Sequence, residues 1–128
     1  MARFICAALC VVAFACVWSF PLRASDIQFA AGVACDTAEQ AAMFGSLVEE
    51  KGAEKALAAV NEDAKDPVAC VIDTFAFIEG ERGAVIKVGG KDYEVTAVNV
   101  VAVRTPQGFE RINPLPLFTL LPAKGNPA

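Results

Sequence analysis

A long apolar run near the N-terminus decides how much of this chain is available to form a folded domain. Arg3 precedes the run, which extends from Phe4 to Phe20 and is followed at a short distance by the small residue Ala24. A basic residue, an apolar core and a small residue in this order are typical of a secretory signal peptide. We therefore expect residues 1–24 to be removed and residues 25–128 to form a single domain.

The same run also permits a second interpretation, an uncleaved membrane anchor. Residues 4–20 reach the lower limit of length for a helix that spans the hydrocarbon core of a bilayer. Cleavage predicts a periplasmic or secreted protein, whereas retention predicts a domain that is tethered to a membrane. Both alternatives place the domain in an oxidising compartment.

The five cysteines fall into two groups. Cys6, Cys10 and Cys16 lie in the apolar run, where cysteine behaves as a small hydrophobic residue. Cleavage leaves Cys35 and Cys70, and two cysteines permit only one intramolecular pairing. We predict that this disulfide pins a helix to the sheet and contributes about 3–4 kcal/mol, the alternative being two buried free thiols.

The absence of histidine excludes several chemistries at once. Neither a Ser-His-Asp nor a Cys-His nucleophile can be assembled, and no metal site can use an imidazole ligand. An enzyme with this composition would depend on carboxylates, lysines or Tyr93. The sequence therefore favours a non-enzymatic protein without a cofactor or metal.

The formal net charge of −4 argues against nucleic acid as a partner. A protein that binds a duplex needs clustered Lys and Arg side chains to displace condensed counterions. Here the basic residues are scattered among carboxylates, so anionic membrane surfaces are disfavoured too. A membrane association is expected only if the leader is retained.

Helical patterns follow a short extended segment at residues 25–34. Asp36 and Thr37 are favoured N-cap residues, and Glu39 and Gln40 lie three residues after them, which predicts a capping box. Apolar residues with helical spacing then continue to Gly52, a natural helix C-terminus. A second helix is predicted from Ala53 to Ala64, and Pro67 ends this helical part.

The pattern changes to that of β-strands after Pro67. Turn signals at Gly80–Gly83, Gly89-Gly90 and Thr105–Gly108 separate the apolar runs. The predicted strands are Val68–Glu79, Ala84–Val88, Tyr93–Arg104 and Phe109–Ile112. The apolar tail from Asn113 to Pro122 is either a final edge segment on the sheet or an exposed strip for a partner.

Three polar positions are candidate sites, each with a structural alternative. Asp73 lies in an apolar strand and could serve as a general acid, or it could reach solvent or pair with an arginine. Asn99 is either buried and hydrogen-bonded or ligand-binding. Glu62, Asp63 and Asp66 lack the spacing of a calcium loop and fit a solvated helix end.

The order of these segments resembles that of small exported bacterial proteins of uncharacterised function. The segments concerned are Cys35-Asp36-Thr37 at the start of the helix, Val68-Ala69-Cys70 at the start of the sheet, and the tail from Phe109 to Phe118. The resemblance covers most of the mature chain and implies export. It carries no functional residue over to this sequence.

Together the patterns predict an α+β domain, with two N-terminal helices packed on an antiparallel four- to five-stranded meander or small partly open barrel. We expect a binding or interaction module of the bacterial cell envelope, with an envelope protein as its partner. The candidate binding residues are Tyr93, Leu115, Leu117 and Phe118. The alternatives are a small-molecule carrier with an apolar pocket between helices and sheet, and a carboxylate-based hydrolase centred on Asp73.

Overall fold

The computed structural model describes residues 26–123, which form two helices and four antiparallel strands. The elements follow one another as β1 (Ile27–Cys35), α1 (Ala38–Lys51), α2 (Ala53–Ala64), β2 (Cys70–Val88), β3 (Lys91–Thr105) and β4 (Gly108–Pro122). The α+β class and the antiparallel meander are therefore confirmed. The predicted leader, with its cleavage site and its three cysteines, lies outside the described residues.

The boundaries of α1 arise from local sequence signals. The Thr37 hydroxyl accepts a hydrogen bond from the Gln40 backbone N–H at 3.1 Å, and the Gln40 side chain accepts one from the Thr37 N–H at 3.0 Å. This is the predicted capping box, with Thr37 as the N-cap. Gly52 ends the helix at φ 86°, a conformation that glycine adopts without steric cost.

Asn61 fixes the end of α2 against the start of β2. Its side-chain amide donates to the carbonyls of Pro67 and Cys70 at 3.0 and 3.1 Å, and its oxygen accepts from the Cys70 N–H at 2.8 Å. These bonds satisfy backbone groups that the helix and the sheet leave open at the junction. The helical hairpin is therefore joined to the sheet at both of its ends.

The disulfide between Cys35 and Cys70 is present, but it joins different elements from those predicted. Cys35 is the last residue of β1, not part of a helix, and it lies opposite Cys70, the first residue of β2. Both cysteines are fully buried. The bridge thus links two strands and closes the loop from which the helical hairpin emerges.

The sheet contains four strands, because one predicted turn is part of a strand. The Gly80–Gly83 segment continues β2 and carries two shifts in register against β3. A side chain at Gly80 would place its Cβ only 2.9 Å from the Ala97 carbonyl oxygen. Glycine is needed there for the close approach of β3 at a bulge, whereas Gly89 and Gly90, both at positive φ, form the predicted hairpin turn.

The sheet closes on itself at one end, through Ala34 and Cys35 of β1, which pair with β4. The Thr119 hydroxyl, which is buried, donates to the Val33 carbonyl at 2.6 Å and reinforces this contact. Thr119 also lies opposite the buried Thr96 of β3. The remainder of β1 pairs with β2 alone.

Two apolar clusters support this arrangement. The helix-side core lies between the helical hairpin and one part of the sheet, whereas the sheet core consists of strand residues alone. The helix-side core contains Val33, Cys35, Ala41, Phe44, Ala56, Val60, Cys70 and Val95. The sheet core contains Ala34, Phe75, Phe77, Val98, Val100 and Leu121.

Candidate functional site

The candidate site is an apolar groove on the part of the sheet that the helices do not cover. It has a volume of about 460 Å³, which lies within the usual range for small-molecule sites. All four strands contribute to it and neither helix does. The groove is lined by Ile27, Phe29, Ala76, Ile78, Val101, Ala102, Phe109, Arg111, Ile112 and Pro114.

The concave shape follows from the sizes of the side chains across the sheet. Phe29, Ala76, Ala102 and Arg111 lie opposite one another on consecutive strands, so their side chains share one face. The two alanines are almost fully buried and form the floor. Small side chains between large ones leave a depression in the surface of the sheet. Because side chains alternate between the two faces along each strand, the depression lies on a single face.

The curvature of the sheet encloses the groove. Phe29 lies on β1 and Phe109 on β4, two strands that pair with each other only at Ala34 and Cys35 and are otherwise connected through β2 and β3. In a flat sheet three strand spacings would separate them by about 14 Å, but their ring centroids are 5.2 Å apart in an edge-to-face arrangement. The two rings therefore meet over the floor of the groove.

Irregularities in strand pairing accompany this curvature. The register between β2 and β3 shifts after Ala76, and that between β3 and β4 shifts between Val100 and Ala102. Bulges of this kind bend a strand and increase its twist. Their position beside the groove indicates that they help to bring β1 and β4 together.

The walls of the groove remain exposed to water. Phe29 keeps 64% of its surface accessible and Phe109 keeps 48%. Scattered apolar residues on a surface are normal, but a contiguous and concave set of them is typical of a binding site. An apolar molecule in this groove would cover surface that the fold itself leaves in water.

Two smaller cavities lie between α1 and the sheet, where the sequence suggested a pocket. One has a volume of about 270 Å³ and includes Arg82, and the other has a volume of about 200 Å³ and includes Tyr93 and Phe44. Helix α1 lies so close to the sheet here that a side chain at position 45 would collide with Ile86. Gly45 therefore permits this close approach. Both cavities are smaller than the groove.

The charged cluster beside the first of these cavities is internally satisfied. Arg82 donates to Glu79 at 2.7 and 3.2 Å, to Glu94 at 2.7 Å, and to the Pro122 carbonyl at 2.8 Å. Hydrogen bonds to Glu79 and Glu94 raise the pKa of Arg82 above its usual value. This guanidinium links β2, β3 and β4, because its N–H groups donate to acceptors on all three strands.

The four residues that the sequence suggested for binding do not form one surface. Tyr93 is half-buried beside the smaller cavity, and Leu115 is 47% exposed. Leu117 packs against the sheet core, whereas Phe118 packs against the helix-side core. The two lie on opposite faces of β4, since adjacent residues of a strand alternate.

The apolar tail is the second half of β4. Within it Thr119 and Leu121 are buried and Leu115 remains exposed. The segment therefore packs on the sheet from Leu117 to Leu121, while residues 113–116 are exposed. A continuous exposed strip from Leu115 to Leu121 is not present.

None of the polar candidates lines the groove, although Asn99 lies opposite Ile78, which does. Asp73 is exposed and accepts a hydrogen bond from the Thr74 backbone N–H at 2.7 Å. Asn99, which was expected to be either buried or ligand-binding, is exposed. Among residues 26–123, no group of three or more acidic or cysteine side chains lies close enough to hold a metal ion.

Sequence reasoning missed Phe29 and Phe109 as partners in a site. The extended segment predicted at residues 25–34 contains Phe29, and the period of a strand places Phe29 on the same face as Ile27. Their meeting with β4 depends on the curvature of the whole sheet, which no local pattern encodes. A large aromatic residue in an otherwise small-residue strand was the available signal.

Comparisons with known proteins identify no relative of this chain. No protein-family model, curated protein or solved structure matches the chain. In the part of the chain that the structure describes, neither helix combines the length and the apolarity that crossing a bilayer requires. The groove is therefore interpreted from its own geometry.

Proposed function

We propose that this chain is an exported, non-enzymatic binding protein that holds a small apolar molecule in the groove. The observation that carries the proposal is a concave apolar surface of about 460 Å³ whose aromatic walls remain largely exposed. A ligand there would remove Phe29 and Phe109 from water. Covering the two rings would contribute roughly 2–4 kcal/mol, in addition to what the ligand gains by leaving water.

The proposal includes export, which the disulfide supports. Cys35 and Cys70 are buried and bonded to each other, and bonds of this kind persist in oxidising compartments. The N-terminal sequence favours export independently of the disulfide. An apolar ligand in such a compartment would need a carrier, because it is poorly soluble in the surrounding water.

The groove supports the binding of a small molecule better than it supports the binding of a protein partner. That alternative relied either on the sheet face near Tyr93 or on the apolar tail, in which Leu117 and Phe118 lie on opposite faces. A protein partner would have to contact the isolated Leu115 or the half-buried Tyr93. The groove, in contrast, gathers apolar side chains from all four strands around one space.

Titration calorimetry with 1-decanol, a neutral single-chain molecule, tests the proposal. We expect a single site with a Kd of about 10 µM or weaker, because a shallow groove covers only part of the chain. Phe29→Ala should weaken binding about tenfold, through loss of one wall. Val85→Ala is the matched control, since Val85 is 57% exposed but lies outside the groove.

Two results would contradict the proposal. One is the absence of saturable binding of decanol and of longer alcohols. The other is binding that Phe29→Ala and Val85→Ala weaken equally. Circular dichroism of both variants would establish that each is folded before the affinities are compared.

A further inference from the structure

The groove carries a basic rim, which the proposed function does not yet use. Arg111 lines the groove and lies opposite Ala102 of the floor. Arg104 lies opposite Phe109, two residues along β3 from Ala102. Arg104, Arg111 and Phe109 therefore share the face of the sheet that bears the groove.

The two arginines are close together and are not neutralised by the described part of the protein. They occupy diagonal positions on neighbouring strands, where backbone positions are about 7–8 Å apart. Neither forms a salt bridge with an acidic side chain among residues 26–123. Glu110, which lies between Phe109 and Arg111 in sequence, projects from the other face.

Arg82 provides a contrast within the same sheet. Two carboxylates and a backbone carbonyl engage its guanidinium. The chain contains 15 acidic and 11 basic side chains, so carboxylates outnumber the cations that they could pair with. A shortage of carboxylates therefore does not explain why Arg104 and Arg111 lack a salt bridge with the described residues. Two like charges side by side repel one another, and an anion placed between them would relieve this repulsion.

We propose that the ligand of the groove is a single-chain amphiphile with an anionic head, such as a long-chain carboxylate. Its apolar chain lies in the groove against Ala76, Ala102 and the paired phenylalanine rings. Its head group accepts hydrogen bonds from Arg111 and Arg104. Arginine suits this role because its planar donors match the two oxygens of a carboxylate. This inference rests on the proposed function, since it names the ligand class of the same groove.

The test compares decanoate with 1-decanol, which has the same chain length and no charge. Both are titrated as monomers, below any micelle concentration, into the purified protein at low salt. We expect decanoate to bind about tenfold more tightly than decanol, and the difference to shrink as salt is added. The double variant Arg104→Met/Arg111→Met should bind decanoate and decanol with the same affinity.

A matched control separates a local effect from the change in net charge. Lys91→Met removes an exposed cation at the β2–β3 turn, outside the groove. It should leave the preference for decanoate unchanged, and Lys91→Met in combination with Lys87→Met should also leave it unchanged. Loss of the preference in this control pair would overturn the role of the two arginines.

The outcomes distinguish the two proposals. Equal affinity for decanoate and decanol would overturn the anionic ligand and leave the apolar groove in place. Failure of both molecules to bind would overturn the proposed function itself. A third arm uses vesicles that contain an anionic phospholipid: binding to vesicles without binding to monomeric decanoate would overturn the free amphiphile in favour of a membrane surface.

Discussion

The two parts of the sheet differ in how their apolar side chains are covered. At one end α1 and α2 enclose the helix-side core, which contains the fully buried Val60 and the disulfide. At the other end the sheet curves over itself, and Phe29 and Phe109 remain exposed. The first part has the packing of a stable core, whereas the second leaves a concave apolar surface in contact with water. Stability and binding should therefore respond to different substitutions.

The largest expected effect compares a phenylalanine of the buried sheet core with one that lines the exposed groove. Phe77 is 1% exposed in the sheet core, and Phe77→Ala should lower the free energy of unfolding by about 3–5 kcal/mol. Phe29 is 64% exposed, so Phe29→Ala should cost less than about 1 kcal/mol. Urea unfolding of both variants measures the difference. Similar losses would mean that the groove belongs to the structural core.

The disulfide should be the next largest contribution, and it should act on stability without acting on the groove. The double variant Cys35→Ala/Cys70→Ala removes a bridge across 35 positions of sequence, and we expect a loss of about 3–4 kcal/mol. Urea midpoints with and without reductant measure it. Reductant should destabilise the parent protein and leave the variant unaffected. A parent protein that is insensitive to reductant would contradict a stabilising bridge.

The charged cluster of Arg82, Glu79 and Glu94 should contribute an intermediate amount. The three side chains are about four-fifths buried, so Arg82→Met removes the cation that Glu79 and Glu94 share and should cost about 2 kcal/mol. Thermal unfolding measures this loss. The further change of Glu79 and Glu94 to Gln should recover part of it. No recovery would indicate that the loss comes from packing of the arginine stem.

The helix cap is the smallest expected effect. Thr37→Ala removes one side of the capping box and should cost about 1 kcal/mol, whereas Thr37→Ser should retain most of it. Both variants should bind decanol like the parent protein, because α1 does not line the groove. Urea unfolding and calorimetry check the two expectations. A cap variant with weakened binding would show that the two parts of the sheet are coupled.

The sequence predicted the elements that depend on local chemistry. The capping box at Thr37, the helix break at Gly52 and the turn at Gly89-Gly90 each arise from a few adjacent residues, so their patterns could be recognised directly. The pairing of Cys35 with Cys70 followed from their number once the leader was set aside. These features required no knowledge of the chain's path in space.

The groove could not be predicted, because it depends on distant residues and on curvature. Phe29 and Phe109 are far apart in sequence and on strands that are not hydrogen-bonded to each other at that point. The glycines at Gly80 and Gly83 fit a turn as well as a bulge, and only the closeness of β3 to Gly80 distinguishes them. The predicted binding residues were Tyr93 of β3 and three residues of the apolar tail in β4, whereas the groove draws on all four strands.

Alanine methyl groups allow the most direct test of where a ligand binds. Ala76 and Ala102 form the floor of the groove, whereas Ala41 and Ala56 lie in the helix-side core. Methyl spectra of alanine-labelled protein would be recorded during a titration with decanoate. We predict that the first two resonances shift with one saturable curve and that the other two remain in place. Shifts confined to Ala41 and Ala56 would place the ligand beneath the helices and would contradict the assignment of the groove as the binding site.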